Sequence, residues 1–279
     1  MTEQAMALLC RGLDQLGLPW TQGAAEQLSL YGDRLLEKNQ VMNLTAITDP
    51  EEVVKRHFLD SAALLPSKAL GGRKVIDVGT GAGFPGLVLK ILDPTIQLTL
   101  LDSLGKRVDW LGQVAETLGL EGVTPIHARA EEQAQVKGFR DGFDFATARA
   151  VAELRLLCEL CLPFVKVGGL FLAMKSVDSD RELEDAAHCI KLLGGRLEQP
   201  VDYAIPGSDV THRVIPIRKV APTLKGYPGA GPRFRRTPCK LGAWAKIGRF
   251  RTILFQGLVF SQGPPCSFVC FLVTFPRSW

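Results

Sequence analysis

The chain has 279 residues, of which 46% are hydrophobic and 22% are charged, a composition typical of a globular protein and not of a disordered chain. No run reaches the 18 or more apolar residues of a membrane span, and the N-terminus lacks the apolar stretch of a signal peptide, so we expect a cytoplasmic protein. The net charge of +4 is uneven: residues 229–279 hold eight Lys and Arg and no acid, which leaves the remainder acidic overall.

The first part of the chain is predicted to be helical. Apolar residues at helical spacing predict helices over residues 1–17 and about 22–40. Asp49-Pro50, followed by two glutamates, is typical of a third helix start, with a capping residue and a first-turn proline. This helix carries the sequence Arg56-His57-Phe58-Leu59-Asp60-Ser61. We expect these elements to form an N-terminal helical cap, residues 1–72.

From residue 73 short apolar strands alternate with helices. The predicted strands are 74–78, 96–101, 123–127, 143–148 and 170–174, and the predicted helices are 84–92, 104–118, 151–162 and 178–193. Two late strands, 195–205 and 211–220, could pair as a hairpin. This alternation predicts an α/β, Rossmann-like fold over residues 73–220, with a mostly parallel sheet and a C-terminal antiparallel hairpin.

A glycine loop follows the first of these strands and predicts a cofactor site. Gly81, Gly83 and Gly86 match the G-x-G-x-x-G pattern of dinucleotide-binding proteins. However, a carboxylate at Asp77 would repel a pyrophosphate, whereas it would favour the ammonium and sulfonium charges of S-adenosylmethionine. Pro85 also removes an N–H group that a phosphate would use. We therefore predict S-adenosyl-L-methionine, with Asp77, Gly81 and Gly83 among its contacts.

Two further positions extend this predicted site. Asp102 and Ser103 end the second strand, about twenty residues beyond the loop, where an acid commonly binds ribose hydroxyls. The same residues could cap the next helix. Ala130 and Glu131 follow the third strand, where adenine is expected in this architecture, although Glu131 alone is also typical of a solvated helix start.

Several segments together carry a family resemblance. They are Asn43-Leu44-Thr45, the sequence from Arg56 to Ser61, the loop after Asp77, Leu101-Asp102-Ser103-Leu104-Gly105-Lys106-Arg107, Arg149-Ala150 and Lys175. From about residue 10 to Tyr227-Pro228 the chain resembles the bacterial 16S ribosomal RNA guanine-N7 methyltransferases. The resemblance implies methylation of N7 of guanine 527, with small-subunit ribosomal RNA or the assembled small subunit as partner. It also implies cofactor contacts at Gly79, Phe84, Ala130, Glu131 and Arg149.

The chemistry of guanine N7 narrows the search for catalytic residues. N7 has a free lone pair and no proton, so its attack on a methyl group needs alignment and not a general base. Arg56 and His57 are the first candidates to hold the RNA, although Arg56 could be a solvated helix charge and His57 a structural residue. Asn43 could bond a base edge or cap a turn. Arg149 and Lys175 follow the fourth and fifth strands at the predicted ligand edge.

Two other functions stay open at this point: a nicotinamide-dependent oxidoreductase, and a non-catalytic RNA-binding module with a vestigial cofactor fold. We expect no metal site, and we interpret Cys158 and Cys161 as buried helix cysteines. His127, His188 and His212 have no partner pattern, and we assign them no role.

Residues 221–279 form a basic, apolar tail, which we expect to be poorly ordered and dispensable from about residue 229, although its unopposed cations could also bind RNA.

Overall fold

The computed structural model describes residues 1–66, 69–149 and 152–229. The α-helices of these ranges are α1 Glu3–Gln15, α2 Gln22–Met42, α3 Pro50–Val53, α4 Asp60–Ala62, α5 Gly86–Leu92, α6 Gly105–Thr117, α7 Ala130–Gln133, α8 Leu154–Cys161 and α9 Asp180–Leu192. The strands are β1 Lys74–Val78, β2 Gln97–Asp102, β3 Val123–His127, β4 Phe143–Arg149, β5 Val165–Ser176, β6 Gly195–Leu197, β7 Val201–Ala204 and β8 Thr211–Lys219. A π-helix, Val54–Leu59, joins α3 to α4, and a 3₁₀ turn, Leu162–Phe164, follows α8.

The strands form one mixed sheet in the order β3-β2-β1-β4-β5-β8-β6, and β7 also pairs with β8. The first five strands in this order are parallel, whereas β8 runs antiparallel to β5, β6 and β7. The order reverses at β1, and the carboxyl ends of β1, β2 and β4 therefore meet at the edge where doubly wound sheets bind ligands. The predicted Rossmann-like fold with its C-terminal antiparallel hairpin is confirmed.

Side chains that alternate along the strands build two cores. Val75 and Leu172 face a hydrophobic cluster that includes α1, α2, α5 and α6, whereas Ile76 and Phe171 face a cluster that includes α8 and α9. Alternation at period two is what a sheet covered on both faces requires. Because the first cluster contains residues of both α2 and β1, the N-terminal helices are packed directly on the sheet.

Three predicted elements differ clearly from the structure. Strand β5 begins at Val165, so the predicted turn at Gly168-Gly169 lies inside it, opposite a register shift between Phe143 and Phe145. A Cβ on Gly169 would lie 2.4 Å from the carbonyl oxygen of Asp144. The strand therefore requires glycine at this position, although glycine in the sequence is typical of a turn. The predicted strand 195–205 is divided into β6 and β7, with Pro200, which lacks an N–H, between them. The helix predicted over 151–162 begins at Leu154; residues 150 and 151 lie outside the described residues.

The segment after β8 is held by Arg140, which precedes β4, and by α8 up to the last described residue. Arg140 donates to the carbonyl oxygens of Thr223 and Tyr227 at 3.0 Å and 2.9 Å, and the amide of Gly229 donates to Glu159 at 2.8 Å. The predicted tail therefore begins with an attached stretch. The expectation of poor order concerns residues 230–279, which lie outside the described residues.

Candidate active site at the carboxyl edge of the sheet

The glycine loop between β1 and α5 has its shape fixed by internal hydrogen bonds. Gly79, Gly81 and Gly83 have φ values of 69°, 59° and 102°, which glycine adopts without strain. The backbone N–H groups of the following residues all donate within the protein: Gly79, Thr80, Gly81, Gly83, Phe84 and Gly86. A pyrophosphate binds such loops through free N–H groups, so this loop is built for a ligand without phosphate.

Asp77 lies beneath this loop. Its side chain is fully buried, and it accepts hydrogen bonds from the Thr80 hydroxyl at 2.7 Å, the Gly86 amide at 3.0 Å and the Thr147 hydroxyl at 3.1 Å. Burial raises the pKa of Asp77 to about 6, against the lowering effect of these three donors. The structure places the carboxylate where it holds the loop against β4.

Asp102 closes the loop from the neighbouring strand. One carboxylate oxygen accepts from the Gly81 amide at 2.9 Å, and the other accepts from the Leu104 amide at 2.9 Å, at the start of α6. The alternative that Asp102 or Ser103 caps α6 is not observed, because the N-cap residue of this helix is Leu104 and it has no side-chain capping bond. Asp102 and the adjacent Ser103 line two adjoining clefts and therefore lie at a ligand surface.

The two clefts share Gly79, Asp102 and Ser103 and continue into one another. The first, named here the strand-end cleft, measures about 120 Å³ and is also lined by Ala130 and Glu131. Its other apolar walls come from Val78, Leu101, Ala128 and Leu160. Apolar walls with a few polar groups at one edge fit a planar heterocycle joined to a ribose.

The second cleft, named the helix-side cleft, measures about 430 Å³ and lies between the glycine loop and the N-terminal helices. His57 and Arg149 line it, together with Thr45, Gly81 and Phe84. The His57 ring stacks on the Phe84 ring with centroids 4.5 Å apart, and the Arg149 guanidinium lies 5.0 Å from the Phe84 centroid. One aromatic ring of the loop thus supports both basic side chains.

A buried acid orients Arg149. Asp60, whose side chain is 1% exposed, accepts from Arg149 Nη1 at 2.8 Å, from the Tyr203 hydroxyl at 2.7 Å and from His212 Nδ1 at 2.8 Å. Burial raises the pKa of Asp60, but the hydrogen bond from His212, the charge of Arg149 and the hydroxyl of Tyr203 outweigh it and hold the pKa below its ordinary value. We name Asp60, Arg149, His57, Tyr203 and His212 the arginine network.

The π-helix contributes to the same network. Arg149 Nη1 also donates to the backbone carbonyl of Arg56 at 2.8 Å, and Arg149 Nη2 lies 3.1 Å from His57 Nδ1. Burial and then the charge of Arg149 lower the pKa of His57 to about 4. His57 is therefore neutral at physiological pH, and the wider π-helical turn places its ring and a carbonyl against one guanidinium.

The remaining predicted residues do not line either cleft. Arg56 is exposed and pairs with Glu52 at 2.8 Å, and Asn43 is exposed at the C-terminus of α2 with φ 49°, the turn conformation allowed for in the sequence. Lys175 pairs with Glu182 at 2.7 Å and donates to the Ala152 carbonyl at 3.0 Å. Gly83 faces inward, where a Cβ would lie 2.6 Å from the Tyr31 hydroxyl oxygen.

Sequence reasoning missed three members of the arginine network. In the sequence, Asp60 is part of a motif without an indicated role, His212 has no partner pattern, and Tyr203 carries no signal. The available signal for Asp60 is its position in an apolar stretch of helix: Phe58 and Leu59 precede it and Ala62 follows it, and all three are buried. An acid in such a place needs hydrogen-bond or charged partners.

Cys158 and Cys161 are buried in α8, as the sequence predicts. Among the described residues no cluster of His, Cys, Asp and Glu is arranged to hold a metal ion.

Comparison with known proteins decides between the functions left open. A family model described as rRNA small subunit methyltransferase G matches residues 24–203. The chain belongs to this family. It is 45% identical over 229 residues to the ribosomal RNA small subunit methyltransferase G of Lachnoclostridium phytofermentans, covering 82% of this chain and 95% of that one. It is 44% identical to that of Caldanaerobacter subterraneus subsp. tengcongensis, covering 85% and 100%.

Family membership makes this protein an rRNA methyltransferase and confirms S-adenosylmethionine as its cofactor. The oxidoreductase and the non-catalytic RNA-binding module are therefore wrong. A solved S-adenosylmethionine-dependent methyltransferase from Aquifex aeolicus is similar with a TM-score of 0.44 and 19% identity, covering 63% of this chain and 96% of that one. In the described part of the chain, none of the helices is long and apolar enough to cross a membrane.

Proposed function

We propose that this enzyme methylates N7 of one guanine in 16S ribosomal RNA, guanine 527 by its family resemblance. The observation that carries the proposal is the junction of the two clefts, where the strand-end cleft adjoins a helix-side cleft lined by Arg149 and a neutral His57. Because ribosomal RNA is the substrate, we also propose that the enzyme acts in the cytoplasm, on the RNA or on the assembled small subunit.

The residues of the strand-end cleft fit the adenosine part of S-adenosylmethionine. Ala130 and Glu131 would lie at the adenine, and Asp102 and Ser103 would bond the ribose hydroxyls. The backbone of Gly79, shared by both clefts, would then lie beside the sulfur.

The other predicted cofactor residues act on the loop and its ring. Gly81 and Phe84 line the helix-side cleft, where the methionine part of the cofactor would extend. Among the described residues, Asp77 and Gly83 line neither cleft. They would therefore act by holding the loop that forms this surface. In this account Asp77 and Gly83 are positioning residues.

The protein contributes alignment and electrostatics to this reaction. The cofactor supplies an activated methyl group on a sulfonium, and guanine N7 attacks it with its own lone pair, so no proton has to leave N7. His57 is a weak base because its pKa is lowered to about 4, and the Arg149 guanidinium has no acceptor, which agrees with a site that orients its substrate. We therefore propose that Arg149 and His57 fix the helix-side surface that aligns the target base at the junction of the clefts.

Exposed basic residues around the clefts would bind the RNA backbone. Arg56 projects from the π-helix beside His57, and Arg107 lines the helix-side cleft. Asn43 ends α2 on the same side of the fold, two residues before Thr45 of that cleft. Lys175 holds the chain after β4 through the Ala152 carbonyl, so its contribution is indirect. Phosphate contacts of this kind set affinity and position, whereas the base contacts set specificity.

The test is incubation of unmethylated small subunits, and separately of naked 16S RNA, with labelled S-adenosylmethionine. We expect label on N7 of a single guanine, located by mass spectrometry of nuclease fragments. Arg149→Met should abolish the label, whereas Arg213→Met should not. Arg213 is a matched control, because it is 15% exposed against 14% for Arg149 and also pairs with acids, yet it lines neither cleft. Label on another atom or another base would overturn the proposal.

A further inference from the structure

Thr45 lies in the short segment between α2 and α3 and lines the helix-side cleft opposite the glycine loop. Its backbone is clamped by one side chain of α2. Asn39 donates to the Thr45 carbonyl at 2.9 Å and accepts from the amides of Leu44 and Thr45 at 2.7 Å and 2.9 Å. One side-chain amide thus bonds three backbone groups of two consecutive residues and fixes the position of the Thr45 backbone.

The direction of the hydrogen bonds that reach Thr45 follows from Arg149. A guanidinium can only donate, so the 3.1 Å contact between Arg149 Nη2 and His57 Nδ1 makes Nδ1 the acceptor. In a neutral imidazole the proton then resides on Nε2, a tautomer assigned here from its partners. His57 Nε2 lies 2.8 Å from Thr45 Oγ1 and therefore donates to it.

A second donor fills the other lone pair of the same oxygen. The backbone amide of Ile47 donates to Thr45 Oγ1 at 3.0 Å. A threonine hydroxyl has two acceptor lone pairs and one proton. With His57 and Ile47 on the two lone pairs, the Thr45 hydroxyl is able only to donate, and its proton is left for a partner in the cleft that Thr45 lines.

We propose that the Thr45 hydroxyl is a fixed hydrogen-bond donor that recognises O6 of the target guanine and so selects guanine over adenine. The proposal rests on N7 of guanine being the methylated atom. In guanine the acceptor O6 lies beside N7, whereas adenine carries the N6 amino group, a donor, at the equivalent position. An adenine would set its amino group against the Thr45 hydroxyl proton, and no lone pair would be free to relieve the conflict.

The recognition is rigid because each partner of Thr45 is itself held. Asp60 fixes Arg149, Arg149 fixes the tautomer of His57, and His57 fixes the direction of the hydroxyl. A buried network that has every group paired specifies one arrangement of its members. The arginine network thus reaches the substrate through a residue that carries no charge, and Asp60, His57 and Asn39 act on the base as positioning residues.

The test compares two substrates with the full-length enzyme and its variants. Small subunits are reconstituted with 16S RNA that carries, at the methylated position, either guanosine or 2-aminopurine ribonucleoside, which keeps N7 and lacks O6. Single-turnover transfer is measured for the wild type and for Thr45→Val, Thr45→Ser and Thr124→Val. Thr124 is an exposed threonine of β3 that lines neither cleft and serves as the matched control.

We expect Thr45→Val to slow transfer to guanosine by about ten-fold or more, the size of one lost hydrogen bond to a base, and to leave transfer to 2-aminopurine nearly unchanged. Thr45→Ser should restore the preference for guanosine, and Thr124→Val should behave as the wild type. Equal slowing on both substrates by Thr45→Val would mean a structural role or a phosphate contact, and would overturn the inference alone. Methylation of wild-type substrate at an atom other than N7 would overturn the proposed function, and this inference with it.

Discussion

The glycine loop and the arginine network form two adjoining walls of one cleft, yet they are assembled in different ways. The loop is held by contacts that are local or join neighbouring strands: Gly86 to Asp77, and Gly81 to Asp102. The network joins Asp60 to Arg149, Tyr203 and His212, which lie 89, 143 and 152 residues further along the chain. The loop can therefore be read from one stretch of sequence, whereas the network exists only when the sheet is complete.

The two walls also differ in how they manage charge. The loop places a single carboxyl in a dry site and surrounds it with neutral donors, and burial raises the pKa of Asp77 to about 6. In the network, by contrast, a buried carboxylate forms an ion pair with a guanidinium, and the pKa of Asp60 stays below its ordinary value. Loss of one partner should therefore cost more in the network than in the loop.

The largest expected effect comes from Asp60→Asn. The asparagine can still accept hydrogen bonds, but it leaves the Arg149 guanidinium with no negative partner in a nearly buried position. Breaking a buried pair in this way should lower the free energy of unfolding by about 3 kcal/mol. Urea denaturation measures it.

The control for this change is Asp202→Asn, which removes an exposed carboxylate from Arg213 while Asp180 still pairs with that arginine. Its urea midpoint should stay close to that of the wild type. Equal urea midpoints for Asp60→Asn and the wild type would show that the loss of one partner in the arginine network does not cost more stability than in the loop.

Much of the fold could be predicted from sequence because its signals are local. The limits of β1 and β3 were predicted to the residue, and Asp49 caps α3 as the Asp-Pro start indicates. The failures lie where tertiary contacts overrule local signals. Gly169 reads as a turn, but it is required by the close approach of β4, which no local pattern reveals.

The same division applies to the site. Asp102 and Ser103 were predicted from their spacing beyond the glycine loop and Gly79 from the family resemblance, and the structure brings all three to both clefts. Asp60 and His212 could not be paired from sequence, since their contact depends on β8 crossing the sheet beside β5. Periodicity gives elements and their ends, but it does not give partners across 152 residues.

The next largest effect distinguishes two roles for Asp77. Asp77→Ala removes the acceptor of three hydrogen bonds and should weaken S-adenosylmethionine binding by about ten-fold. Asp77→Asn should keep most of the affinity, because its oxygen can accept from Thr80 and Gly86 while the Thr147 hydroxyl turns to accept from the new amide. Calorimetric titration measures both. If asparagine weakens binding as much as alanine does, the charge itself acts on the cofactor.

A smaller effect, on the order of 1 kcal/mol, is expected in the pH dependence of stability. The pKa of His57 falls from 6.5 to about 4 on folding, so its contribution is present above pH 6.5 and is lost as pH falls toward 4. The pKa of Asp77 rises from 3.8 to about 6, so its contribution is present below pH 3.8 and is lost as pH rises through 6. The two walls thus oppose each other in nearly the same window.

Single variants should separate these opposing contributions. In urea titrations between pH 6.5 and about 4, His57→Gln should lose less stability on acidification than the wild type, and Asp77→Asn should lose more. Parallel curves for all three proteins would contradict the assigned protonation states of both walls.

The smallest effect is expected from truncation after Gly229. Both walls lie within the residues before it, and the described segment that precedes it is attached through Arg140 and Glu159. We expect unchanged cofactor affinity and thermal stability, measured by calorimetry. A truncated protein that melts at a markedly lower temperature would show that residues 230–279 support one of the two walls.

The central claim is that one wall binds the cofactor and the other receives the RNA, and a paired measurement on Asp102→Ala and Arg56→Ala tests it most directly. Cofactor affinity and single-turnover methyl transfer at saturating S-adenosylmethionine are measured for both. We predict that Asp102→Ala binds the cofactor about ten-fold more weakly or worse but still transfers at saturation. Arg56→Ala, whose side chain is exposed, should bind the cofactor normally and lose transfer. Transfer at the wild-type rate by Arg56→Ala, or loss of cofactor affinity in both variants, would contradict the account.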